Sequence, residues 1–149
     1  QVQSLLRRQD VQLLPVGVLH TDLQRDNVLF NDLGLSGVLD FYQARSGPLV
    51  FDLGVVANDW CTESSGLLDR DRVLALLKAY HRLRPLVEAE LWYFSGFALY
   101  GALVNWLNRL TLASGDGSQS EHYNNARECE RIVRQHAAHS FYPDPRILD

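Results

Sequence analysis

The stretch His20-Thr21-Asp22-Leu23-Gln24-Arg25-Asp26-Asn27 (HTDLQRDN) decides how this 149-residue chain is read. Val16-Gly17-Val18-Leu19 before it is a short apolar run that predicts a buried strand. After it, Val28–Phe30 and Val38–Phe41 flank Asn31–Gly37, a turn segment rich in Asn, Asp, Gly and Ser, which is a hairpin signature. With the turn centred near Gly34, positions 28 and 40 pair. Asn27 then sits beside the end of the strand that carries Asp40, the strands being about 4.8 Å apart. An oxygen from each suits one Mg²⁺, whose ligand distances are about 2.1 Å. Asp22, on the loop, is left to face whatever the metal holds. Loop Asp and Asn residues mostly make turns and caps. The set together, in a strand–loop–hairpin frame, suits phosphoryl transfer, with the metal drawing charge off phosphate while a carboxylate orients a hydroxyl.

Outward from this segment the apolar period becomes helical. Leu49, Leu53, Val56 and Trp60 predict a helix to about Cys61, and Thr62–Gly66 reads as a loop. Asp69 is the N-cap expected for a helix over Arg70–Leu83. Pro85 is expected to open the next helix, which runs to about Ala113. Ser114–Ser120 reads as a flexible link, Glu121–Ala138 as an amphipathic helix, and Phe141 onward as a tail. A weak helical pattern covers residues 1–12 and ends before Pro15. The expected fold is α+β and mainly helical: a small β-hairpin among about five helices.

Composition narrows the function classes. Fourteen Lys and Arg against eighteen Asp and Glu give a net charge of -4, which disfavours nucleic acid and anionic membrane as partners. Leu91–Leu107 (LWYFSGFALYGALVNWL) carries no charge, but its aromatics are spread along it and Ser, Asn and two glycines dilute it. It reads as a buried helix and not a membrane span. Two cysteines, Cys61 and Cys129, are too few for a disulfide scaffold and fit a reducing, cytoplasmic compartment. The chain lacks methionine and opens Gln-Val-Gln, which is expected of part of something longer.

His20-x-Asp22-Leu23-x₃-Asn27, followed thirteen residues later by Asp40-Phe41, resembles the catalytic loop and metal-binding aspartate of the protein-kinase-like fold. Its form is similar to that of the aminoglycoside phosphotransferase and choline kinase superfamily. HTDLQRDNVLF, LSGVLDFYQA and FDLGVVANDWC resemble the homoserine kinase branch of it, clearly from Pro15 to Arg84 and more loosely through Trp106-Leu107-x-Arg109-Leu110.

The resemblance implies an enzyme that moves the γ-phosphate of ATP, with Mg²⁺, to the side-chain hydroxyl of L-homoserine, a step in threonine biosynthesis. It makes Asp22 the catalytic base, with Asn27 and Asp40 the metal ligands that also hold the nucleotide. His20 becomes a loop organiser bonded to backbone, and Asp52 a brace from the following helix. Thr21 and Gln24 depart from the small or aromatic residues expected there. No glycine-rich loop, strand lysine or partner glutamate is present. Residues 1–149 are therefore expected to be the C-terminal lobe, with the ATP-clamping N-terminal lobe before Gln1 as its missing partner. The lobe alone is expected to be inactive and prone to self-association. Another small alcohol (choline, an aminoglycoside, a sugar) is the alternative acceptor, and a non-catalytic binding module on a kinase lobe is the alternative class. A glycine-rich strand–turn–strand upstream would discriminate the two classes.

Weaker candidates surround this set. Asp59 can meet a substrate ammonium and Trp60 can wall the pocket, or they are a helix-end aspartate and a core tryptophan. Tyr42 can line the acceptor site. Arg25 can neutralise transferred phosphate, or pair with Asp26 on the surface. Cys129, His136 and His139 share a helix but match no zinc spacing, and read as a solvated helix end.

Overall fold

The structure is a computed structural model that describes residues 9–113 and 119–148. The link over 114–118 and most of the weak N-terminal helix fall outside those residues. Four strands come first: β1 (Val16–Leu19), β2 (Val28–Asn31), β3 (Gly34–Val38) and β4 (Arg45–Pro48). Four helices follow among the described residues: α1 (Val50–Trp60), α2 (Arg70–Leu83), α3 (Glu88–Ala113) and α4 (Gln119–Ala138). The mainly helical α+β expectation holds.

The strands make two separate antiparallel pairs, β1 with β4 and β2 with β3. The hairpin β2–β3 forms as expected, but its register differs. Val28 faces Val38, and the turn is the tight Asp32-Leu33, where the Asn31 side chain accepts from the Leu33 N–H at 2.9 Å. Asp40 leaves the strand altogether because its backbone is left-handed, at φ 65°. β4 was not expected: Arg-Ser-Gly-Pro has no strand period, and it forms by pairing Gly47 with Gly17. The expectation that Val16–Leu19 is buried is corrected as well. Val16 and Val18 are exposed while Leu19 is buried, as a two-stranded sheet covered on one face requires.

α2 begins as predicted, with the Asp69 side chain accepting from the N–H groups of Asp71 and Arg72. α3 begins at Glu88, three residues after Pro85. The Glu90 carboxylate reaches back to the Val87 N–H at 3.1 Å, half of a capping box, and also accepts from Arg84. Glu90 itself is wholly buried. α3 is the central rod and packs against both α1 and α4. Phe94, Phe97 and Ala98 are buried on it, and Trp92 at its start is exposed.

Gly54 lets α1 and α3 approach, since a Cβ there would lie 2.7 Å from the Ala98 nitrogen. Asn58 then ties three helices. Its amide donates to the Ala98 carbonyl on α3 at 2.8 Å, and its carbonyl meets His136 Nε2 on α4 at 2.7 Å. Among the described residues no helix is long and apolar enough to cross a membrane.

Candidate active site

The loop between β1 and β2 is built around Asp52, in the first turn of α1. Its two carboxylate oxygens accept from the backbone N–H groups of His20 at 2.7 Å and Thr21 at 2.9 Å. Thr21 is held at φ 72°, a left-handed backbone that a β-branched residue rarely adopts. The Thr21 hydroxyl donates to the Gln43 carbonyl at 3.2 Å. The only described non-glycine residues with positive φ are Thr21 and Asp40, and both belong to this site.

His20 is buried, and its ring lies 4.5 Å from that of Phe41. Nε2 is 2.7 Å from the Leu39 carbonyl, and Nδ1 accepts from the Asp22 N–H at 3.3 Å. A carbonyl needs a donor and an N–H needs an acceptor, so the ring is the neutral tautomer protonated on Nε2. It joins the end of the hairpin to the backbone of Asp22.

Asp22 is half-buried and clamped. Gln24 Nε2 donates to one carboxylate oxygen at 2.5 Å and Asn27 Nδ2 to the other at 3.2 Å. Asn27 Nδ2 also donates to the Asp22 carbonyl at 2.8 Å. The Asn27 carbonyl accepts from the Leu39 N–H at 2.9 Å, which brings Asp40, the next residue, to the same end of the hairpin.

Asn27 Oδ1 and the Asp40 carboxylate have no partner among the described residues, so a neutral and an anionic oxygen stand ready on adjoining backbone. That donor set fits a hard divalent cation such as Mg²⁺. No three His, Cys, Asp or Glu side chains cluster around a metal position among the described residues.

Beside this loop α1, α3 and α4 enclose a cleft of about 280 Å³, the small end of ligand sites. Arg25, Asn58, Asp59, Asn105 and Arg109 are on its wall. Arg25 pairs with Asp59, by Nε at 3.1 Å, Nη2 at 3.2 Å and backbone N–H at 2.6 Å, in place of the surface pair with Asp26. The Asp59 hydrogen bond holds the Arg25 guanidinium above its ordinary pKa.

Trp60 lies outside the cleft, half-buried, with its ring edge-on to Phe30 at 6.1 Å. Tyr42 is exposed, and its hydroxyl accepts from Gln43 Nε2 at 2.8 Å. Cys129 and His136 are buried, so the solvated-end reading of that helix is corrected for them. Burial pushes the Cys129 thiol up and the His136 pKa down to about 4.

Sequence reasoning missed Gln24, Asn58 and Arg109. Gln24 links Asp22 to Arg109, whose Nη2 donates to Gln24 Oε1 at 3.5 Å across 85 positions of chain. No local pattern carries such a signal.

The chain is 38% identical over 130 residues to a homoserine kinase of Methylobacillus flagellatus, covering 87% of this chain and 41% of that protein. It is 42% identical over 106 residues to a homoserine kinase of Pseudomonas aeruginosa, covering 71% and 34%. A homoserine kinase of Cupriavidus pinatubonensis is 43% identical over 106 residues, covering 68% and 32%. The chain thus spans about two fifths or less of the length of these relatives. Residues 1–86 match the model of the phosphotransferase enzyme family. With that match over more than half its length, the chain belongs to the phosphotransferase enzyme family.

Proposed function

We propose that this chain is the helical, catalytic lobe of an ATP-dependent kinase whose acceptor is the side-chain hydroxyl of L-homoserine. Asp22 carries the reading: a carboxylate clamped by Gln24 and Asn27, next to Thr21, whose left-handed backbone is bonded to Asp52. The names of the relatives favour homoserine as acceptor. Asn27 Oδ1 and the Asp40 carboxylate would hold Mg²⁺, and His20, Thr21 and Asp52 would keep the loop in shape.

When bound, Mg²⁺ with ATP supplies the transferable phosphate and neutralises its charge. Asp22 orients the attacking hydroxyl and takes its proton. Gln24 and Asn27 each hold one Asp22 oxygen, which fixes the carboxylate plane in which a remaining lone pair meets the acceptor. Asp59, already met by Arg25, fits a wall of the acceptor cleft better than a free ammonium partner. Trp60 and Tyr42 border the site without facing the cleft.

A further part of the protein, supplying a phosphate cradle, fits the coverage of two fifths of the relatives and the bare outer face of β1. We place this enzyme in the cytoplasm, where ATP and amino acids meet. The test is Asp22→Asn in the full-length protein. Turnover is expected to fall about 10²–10⁴-fold while the KM for ATP stays near the parent's. Turnover close to the parent's would remove Asp22 from the chemistry.

A further inference from the structure

Arg109 is half-buried on α3, reaches into the cleft beside the catalytic loop, and has no carboxylate partner among the described residues. Its one side-chain hydrogen bond among the described residues is long, 3.5 Å from Nη2 to Gln24 Oε1, so most of its five donors are unengaged there. The other arginine of the wall, Arg25, is consumed by Asp59. A planar guanidinium in a confined cleft is built for bidentate contact with a carboxylate. Asp26, Glu63 and Glu128 also line the cleft and give it a negative field that suits an ammonium. An arginine without an acid partner, in the same cleft as several acids, is the charge pattern of a zwitterion site, and the cleft volume is that of a small ligand.

The position relative to Asp22 matters equally. Gln24 touches both Arg109 and the Asp22 carboxylate, so a group anchored on Arg109 lies one side chain away from the oxygen that meets the hydroxyl. Resting on the kinase reading above, we infer that Arg109 anchors the α-carboxylate of the acceptor and makes this site specific for alcohols that carry one. Gln24 then holds anchor and base at a set separation, which selects the length of the alcohol arm.

The test compares two acceptors in the full-length protein: L-homoserine, and aminopropanol, the same skeleton without the carboxylate. The readout is the ratio of their kcat/KM values. In Arg109→Leu that ratio is expected to fall roughly 10- to 100-fold, the range of one charge-assisted pair, through a raised KM for homoserine. Arg109→Lys, which keeps a point charge but no fork, should retain part of the preference and guards against a Leu variant that fails to fold. A ratio within threefold of the parent's in both variants overturns the anchor. A loss of kcat on both acceptors alike also overturns it, because it assigns Arg109 to holding Gln24. A parent protein that prefers aminopropanol overturns the anchor and the homoserine reading together. Homoserine turnover by the parent with an unchanged ratio in the variants sinks only the anchor.

Discussion

In the proposed site Asn27 divides its amide between two tasks: the NH₂ clamps Asp22, and the oxygen is left for a cation. Asp40 has only the second. The two alanine variants should therefore differ in kind. In a Mg²⁺ titration of the full-length protein, Asp40→Ala is expected to raise the Mg²⁺ concentration for half-maximal turnover about tenfold or more, because it removes a charged ligand. Asn27→Ala should shift it less and lower kcat, since Asp22 loses a restraint. Unchanged Mg²⁺ dependence in Asp40→Ala would take that residue out of the metal site. The sequence brought these residues forward as candidates through the spacing of His, Asp and Asn, and the structure gathers them at one loop. Their geometry was legible only in part. The hairpin was expected to turn near Gly34 and pair position 28 with 40; the turn sits at Asp32-Leu33 and pairs 28 with 38, and the left-handed backbone of Asp40 beyond the strand has no local signal in Leu-Asp-Phe.

The helices were the most legible elements, since a cap such as Asp69 and a 3.6-residue period are local properties. β4 was illegible because its pairing with β1 depends on two glycines that meet across the sheet. The contact of α1 with α3 makes a second prediction. Gly54→Ala adds a Cβ where backbone atoms lie 2.7 to 2.9 Å away. Overpacking of about 1–3 kcal/mol should exceed the roughly 1 kcal/mol gained in helix propensity. A lowered Tm is expected, and a raised one would show that the helices separate freely.

α4 makes a third prediction. Burial depresses His136 from 6.5 to about 4, so the unfolded chain binds the proton more readily. Stability from this group is complete above pH 6.5 and is lost as pH falls toward 4, on the order of 3 kcal/mol in all. Denaturant unfolding between pH 7 and 5 should show this slope, and His136→Gln, which keeps a donor for Asn58, should flatten it.

At the scale of the whole molecule, apolar side chains collect on the strands and not only in the core. Val16 and Val18 on β1, Phe30 on β2, Leu35 on β3 and Tyr42 beyond it are each 60% or more exposed. Exposed apolar side chains in that number favour contact with another surface. Residues 1–149 alone are expected to self-associate in light scattering at high concentration. They are also expected to turn over ATP with homoserine negligibly, since transfer needs the nucleotide held on both sides. A monomer at every concentration would remove the contact surface, and brisk turnover would remove the two-sided site. One consequence concerns the order of events on the ribosome. The loop that carries Asp22 leaves the exit tunnel some thirty residues before Asp52, whose oxygens hold Thr21 at a backbone angle that costs about 1–2 kcal/mol. The nascent loop therefore has no template for its working shape until α1 has been synthesised and folded beneath it, and the chemistry is the last part of this region to be assembled.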